Sequence, residues 1–166
     1  LGDVYKRQGP LTNPAKAPNQ IMGVFDKNLV EPIANVLKGL NSRHVMVVHS
    51  EDGLDEFSIA NKTYVAELKD NKISTYSVHP HDFGLKEGSL DSIQAENAEQ
   101  SLALIHEAFS GKQGVARDII SLNAGAAIYV SGLVNSLEEG ITKANQTLSD
   151  GSAQDKLDAY IHASNK

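Results

Sequence analysis

His44-Val-Met-Val-Val-His-Ser50, continued directly by Glu51-Asp-Gly-Leu-Asp-Glu56, is the stretch on which the fold turns. Its first seven residues show no polar alternation and are rich in valine. A strand with one face in water would alternate, so this one is covered on both faces and belongs inside a helix-flanked sheet. Four carboxylates, Glu51, Asp52, Asp55 and Glu56, follow at its carboxyl end. Ligands of open α/β sheets bind outside that end of the strands.

Upstream, Asp26 can cap a helix running to about Leu40, with Leu29, Ile33, Val36, Leu37 and Leu40 as its apolar stripe. Pro32 lies inside it and should bend it or delay its start. The segment Gly9 to Pro18 is rich in turn residues and reads as a loop. Downstream, Thr63–Lys69 and Lys72–Val78 read as strands joined by Asp70-Asn71, a pair that tolerates the left-handed backbone of a hairpin turn. Pro80 ends the second strand.

The remainder reads as helical. Ala98, Leu102, Ile105 and Phe109 form one stripe, closed by Gly111; Ile119, Leu122, Ala126, Val130 and Leu133 form the next. The small side chains at Asn123-Ala-Gly-Ala-Ala127 invite another backbone to approach. Ser136 and Glu139 suit a capping box for a helix with Ile141, Ala144 and Leu148 facing inward. Gly151 stops that helix, and Ser152 is expected to cap the last one, which carries Leu157, Tyr160 and Ile161. This order predicts α/β, the partial, helix-flanked mixed sheet of a larger domain, with upstream sequence expected.

The 166 residues suffice for one domain with a core, and 40% apolar against 22% charged is ordinary for a globular protein. The net charge of -6 argues against nucleic-acid binding, which needs clustered Lys and Arg. The lack of cysteine excludes disulfides and thiolate chemistry. No apolar run approaches the roughly 20 residues of a membrane span, and a cytoplasmic protein is expected. The first eight residues, Leu1 to Gln8, carry no period and read as a foreign leader, which leaves 9–166 as a partial catalytic domain.

The acidic loop carries the chemistry. Mg²⁺ takes one or two protein carboxylates and fills its octahedron with water and substrate phosphate. Composition and position leave this reading open beside a plainly solvated acidic turn at Asp52-Gly53. His44, His49, His79 and His81 raise a zinc site, but no helical HExxH pair is present, and they read as surface or core-edge residues. Ser50 and Ser58 lack the G-x-S-x-G turn of a nucleophile elbow. Gly84, Gly88, Gly111 and Gly114 fit neither phosphate-binding fingerprint and read as turns. Arg117-Asp118 reads as a surface ion pair or cap rather than a phosphate clamp.

Gly9-Pro-Leu-Thr-Asn-Pro-Ala15, Val47-Val-His49, Asp52-Gly-Leu-Asp-Glu56, Asp82-Phe-Gly-Leu85, Glu96-Asn-Ala98, Ala116-Arg-Asp118 and Leu122-Asn-Ala124 resemble, in order and spacing, the anthranilate phosphoribosyltransferases. The resemblance runs from Gly9 almost to the end. It implies a Mg²⁺-dependent transfer of phosphoribosyl from phosphoribosyl pyrophosphate to anthranilate, a step of tryptophan synthesis. It implies a small helical domain beside an α/β domain of the nucleoside phosphorylase type, and a homodimer. It implies that Asp55 and Glu56 bind Mg²⁺, that Gly9 and Pro10 lie beside the anthranilate channel, and that no protein nucleophile is needed. The family's Gly-rich pyrophosphate loop and anthranilate-binding arginine are expected upstream of Gly9, so this chain alone is expected to be inactive. Ser50 stands where the family often has glycine, and His81 where it often has glutamate. The rivals are a non-catalytic nucleic-acid-binding relative of the same fold, disfavoured by the acidic charge, and a nucleoside phosphorylase.

Overall fold

A computed structural model describes residues 8–165. One helical turn, α1 (Gln8–Leu11), leads into strand β1 (Asn19–Gly23). Helix α2 (Val30–Gly39) returns the chain to β2 (His44–Ser50), and β3 (Thr63–Lys69) and β4 (Lys72–Val78) follow. Four helices complete the chain: α3 (Ala98–Phe109), α4 (Val115–Ser131), α5 (Leu137–Ser149) and α6 (Ser152–Ser164). The sheet runs in the order β1-β2-β3-β4, with β1 parallel to β2 and the other two pairs antiparallel.

The unbroken apolar run of β2 has the cause expected of it. Val45 and Val47 pack on one side with Ile33, Ala34 and Leu37 of α2. Met46 and Val48 pack on the other with Leu122 and Ala126 of α4 and Ile141 of α5. All four β2 residues have no solvent exposure. The two helices on that second face lie almost in backbone contact. A Cβ on Gly140 would fall 2.2 Å from the Gly125 carbonyl oxygen, so the close approach foreseen for the small-residue segment is made by α5. The hairpin is also as expected: Asp70 and Asn71 take φ of 50° and 59°.

Several details differ from the reading of the sequence. Strand β1 was missed, because Asn-Gln-Ile-Met-Gly offers only two apolar residues; its partner β2 supplies the hydrogen bonds that make it a strand. Asp26 caps a 3-10 turn at Lys27–Leu29, and the α-helix starts only at Val30, so Pro32 delayed the start as one of the two outcomes foreseen. Rotation about the α2 axis buries Val30, Ile33, Ala34 and Leu37 and leaves Val36 and Leu40 about half exposed. Leu102 is exposed on α3, where Ala108 is the buried residue, and Leu133 lies past the α4 stop at Gly132. The N-cap of α6 is Gly151, not Ser152, whose amide is held instead by the Asp150 side chain. Arg117 is no surface pair. It is buried and donates to the Gly111 and Asn145 carbonyls and to Ser149 Oγ, fastening the start of α4 to the end of α5.

Candidate functional site

Strands β1 and β2 run parallel and finish at the same end of the sheet, at Gly23 and Ser50. The acidic loop starts there. Ser50 N donates to Leu54 O and Gly53 N to Ser50 O, each at 2.9 Å, with Gly53 at φ 92°. This tight turn folds the loop back over β1. A Cβ on Gly23 would fall 1.6 Å from the Asp55 carbonyl oxygen, so the glycine at the end of β1 is what lets the loop backbone sit on the strand end.

The far side of the loop is fixed from α4. Asn123 Oδ1 accepts from Phe57 N at 2.9 Å and Asn123 Nδ2 donates to Phe57 O at 2.8 Å. Phe57 is fully buried, so both backbone groups depend on this one side chain. The residue next to the acidic pair is thereby pinned to the helical layer.

The four carboxylates divide into two kinds. Glu51 accepts from Tyr64 Oη at 3.0 Å and lies 3.4 Å from Lys62 Nζ. The Tyr64 bond is the main reason its carboxyl is held below the usual range. Asp52 accepts from Ser58 Oγ at 2.5 Å and from Leu54 N at 3.3 Å. Partial burial pushes the Asp52 carboxyl up, but the bonds from Ser58, Ser50 and Leu54 outweigh it and the net shift is downward. Ser50, the departure noted beside this loop, thus helps hold it: it is buried, and its Oγ donates to Lys62 O at 3.4 Å. Asp55 and Glu56 are different. Both are exposed, and neither makes a hydrogen bond or ion pair among the described residues. Glu51 and Asp52 therefore maintain the turn, and Asp55 and Glu56 are presented by it.

An open cleft of about 360 Å³ lies at this end of the sheet, between Lys27 and Glu31 on one side and Tyr64, Thr75 and Ser77 on the other. Lys27 Nζ sits 3.5 Å from the centre of the Tyr64 ring. A second cleft of about 490 Å³ is walled by Leu11, Thr12 and Asn13 together with Leu37, Leu40 and Asn41. That cleft is at the end where β2 begins, roughly 20 Å along the strand from the acidic loop. Asp55 and Glu56 line neither of these clefts. Gly9 is exposed in α1, and of Pro10 only the backbone is described. The structure does not bring these two together with the acidic pair.

The other chemically suggestive residues are accounted for by the fold or grouped elsewhere. Buried His44 meets Glu67 at 2.8 Å, and Glu67 also accepts from Tyr129 at 2.7 Å and Tyr76 at 2.8 Å. Burial pushes the Glu67 carboxyl up, but bonds from Tyr129, Tyr76 and His44 reverse this and hold it low; burial and that carboxylate push the Tyr76 phenol well up. His49 Nδ1 bonds Val24 O at 2.8 Å and ties the ends of β1 and β2 together. His79 and His81 converge on Glu87. Asn123, Glu67 and Gly23 carry no local signal in the sequence for these roles, because Phe57, Tyr76 and Asp55, which they meet, lie between 9 and 66 positions away.

Hard, unpartnered oxygen donors at the strand ends suit a hard divalent cation such as Mg²⁺ better than the imidazoles do. No described helix is long and apolar enough to cross a membrane.

The model of the glycosyl transferase family, a/b domain, matches residues 4–154. An anthranilate phosphoribosyltransferase of Vesicomyosocius okutanii subsp. Calyptogena okutanii is 57% identical over 161 residues, covering 97% of this chain and 48% of the relative. The crystal structure of anthranilate phosphoribosyltransferase from Thermus thermophilus superposes with a TM-score of 0.86 at 33% identity, over 96% of this chain and 47% of that one. The Saccharomyces cerevisiae enzyme in complex with PRPP and Mg gives 0.82 at 28% identity, over 96% and 46%. The chain spans about half the length of these relatives.

Proposed function

The chain belongs to the glycosyl transferase family by its a/b domain, and on that premise we propose that its protein transfers the phosphoribosyl group of phosphoribosyl pyrophosphate to the amine of anthranilate. The amine nitrogen forms a bond to the anomeric carbon, the bond from that carbon to the pyrophosphate oxygen breaks, and the amine gives up a proton. The relatives matched by identity and by superposition carry this activity in their names, and one of them was solved with the donor and Mg.

The observation that carries the reading is the division of the acidic loop. Asp55 and Glu56 are left free by a turn that Glu51, Asp52, Ser58 and Asn123 hold in place. They are the residues that would hold Mg²⁺. Bound there, the ion would supply charge neutralisation for the departing diphosphate. The rest falls to the chain itself. Gly23 and the Asn123–Phe57 bonds fix where the pair stands, which is positioning in the sense that matters for a bond-forming step between two bound reactants. No serine or cysteine nucleophile is required, because an aryl amine is weakly basic and uncharged near neutral pH. Gly9 and Pro10 are assigned to the anthranilate side of the site on the motif they share with the family.

The test is transfer by the protein at its relatives' full length, followed by the loss of anthranilate fluorescence. Asp55→Asn with Glu56→Gln is expected to lower kcat/KM by at least about a hundredfold, on the order of the loss of one electrostatic stabiliser, with an unchanged melting curve. Full turnover in that double variant would remove the metal role from these residues.

A further inference from the structure

The 3-10 turn Pro80–Phe83 follows β4, and three side chains meet at its edge. His79 Nε2 lies 3.2 Å and His81 Nε2 3.1 Å from the same oxygen, Oε1 of Glu87. All three atoms lie within 4.8 Å of one another. The imidazoles stack with centroids 4.4 Å apart and planes 30° apart, so both present the same edge to the carboxylate. Ligands about 2.1 Å from a tetrahedral ion stand roughly 3.4 Å apart, close to the two nitrogen-to-oxygen gaps here.

The backbone under these side chains is fixed before any ion arrives. Pro80 is buried, His79 N donates to Asp82 Oδ2 at 2.7 Å, and Leu85 N donates to Pro80 O at 3.1 Å. Gly88 N donates to Ile59 O at 3.1 Å, which anchors the residue after Glu87 to the loop that follows the acidic turn. The side chains themselves are open to solvent, 28% exposed for His79, 63% for His81 and 50% for Glu87. Ligation through His79 Nε2 places the ring proton on Nδ1 and gives up the bond from His81 N, which at 3.5 Å is a weak one.

We propose that His79, His81 and Glu87 form a site for a borderline divalent transition-metal ion of the zinc class, separate from the acidic loop. Two neutral imidazoles and one carboxylate are the donor set such ions select, and Mg²⁺ does not favour imidazole. Three protein ligands leave the remaining positions to water.

The experiment is a calorimetric titration of Zn²⁺ into the untagged protein at its relatives' full length, in millimolar Mg²⁺, which occupies hard carboxylate sites without competing for imidazole. The expected result is one saturable Zn²⁺ per chain, accompanied by a higher melting temperature in Zn²⁺ than in chelator. His81→Gln and Glu87→Gln are each expected to weaken binding roughly tenfold or more, while melting like the parent chain in chelator. Two independent exposed variants guard against a folding artefact in either. No saturable binding, or binding that survives both substitutions, would overturn the site.

Discussion

Replacing Asn123 with alanine tests whether the acidic loop is held from the helical layer. The substitution removes the acceptor for Phe57 N and the donor to Phe57 O together. Phe57 has no solvent exposure, so water cannot take over both groups without opening the α4 interface. Each buried backbone group left unpaired costs about 1–3 kcal/mol, and alanine returns only about 0.5 kcal/mol in helix propensity. The expected loss is roughly 2–5 kcal/mol, or about 5–15 °C in Tm for a domain of this size. The third bond of Asn123, to Ile119 O, does not enter, because that carbonyl keeps its own helical partner. Asn123→Asp retains the acceptor but sets a carboxylate against the Phe57 carbonyl, so it should lose a comparable amount at neutral pH. Urea denaturation with a fixed m-value gives both numbers. A loss under about 1 kcal/mol for alanine would show that water satisfies Phe57 and that the loop is anchored elsewhere.

Gly140→Ala and Gly39→Ala should move stability in opposite directions. The first drives a methyl into the Gly125 carbonyl and costs about 1–3 kcal/mol, whereas the second meets open space at the end of α2 and gains up to about 1 kcal/mol; parallel thermal melts read the sign, and a stable Gly140→Ala would refute the close approach. Glu67 and Asp52 are both held below their ordinary carboxyl values in the fold, so the stability they contribute is present above the unfolded value and is lost as pH falls through the lower folded one. Stability should therefore decline below about pH 4.5, the ordinary glutamate value, and Glu67→Gln should flatten that decline in melts between pH 6 and pH 3; an unaltered slope would contradict the network. Asp52→Asn should destabilise by about 1 kcal/mol or more through the Ser58 bond, while Asp55→Asn, which has no partner among the described residues to lose, should stay within about 0.5 kcal/mol of the parent; equal losses would erase the distinction between the two kinds of carboxylate.

What the sequence disclosed and what it withheld follow from the range of the interactions. The β3–β4 turn was readable because Asp70 and Asn71 carry their own left-handed tolerance. The covered faces of β2 were readable because its valines do not alternate with polar residues. The α2 stripe was misphased at Val36 and Leu40 because the helix begins only at Val30 and several rotations satisfy the same spacing. Strand β1 has no signal of its own, since its pairing with β2 makes it. In the site, the acid residues and their loop were visible as a cluster, and the shared motif singled out Asp55 and Glu56. Which carboxylates the fold consumes was not visible, because it depends on Tyr64, Ser58 and Lys62 reaching back from the next strand and its approach. The convergence of Glu87 on His79 and His81 was hidden for the same reason: an irregular turn has no period from which to read who faces whom.

Mn²⁺ binding, read by the loss of its free-ion paramagnetic resonance signal and displaced by Mg²⁺, tests the division of the loop most directly in the protein at its relatives' length with phosphoribosyl pyrophosphate present. Presentation of Asp55 and Glu56 by a turn that Glu51 helps to hold predicts that Asp55→Asn and Glu56→Gln each weaken Mn²⁺ roughly tenfold or more, while Glu51→Gln, whose carboxylate is already engaged by Tyr64 and Lys62, leaves it unchanged. Binding that depends on Glu51 and ignores Asp55 and Glu56 would contradict it.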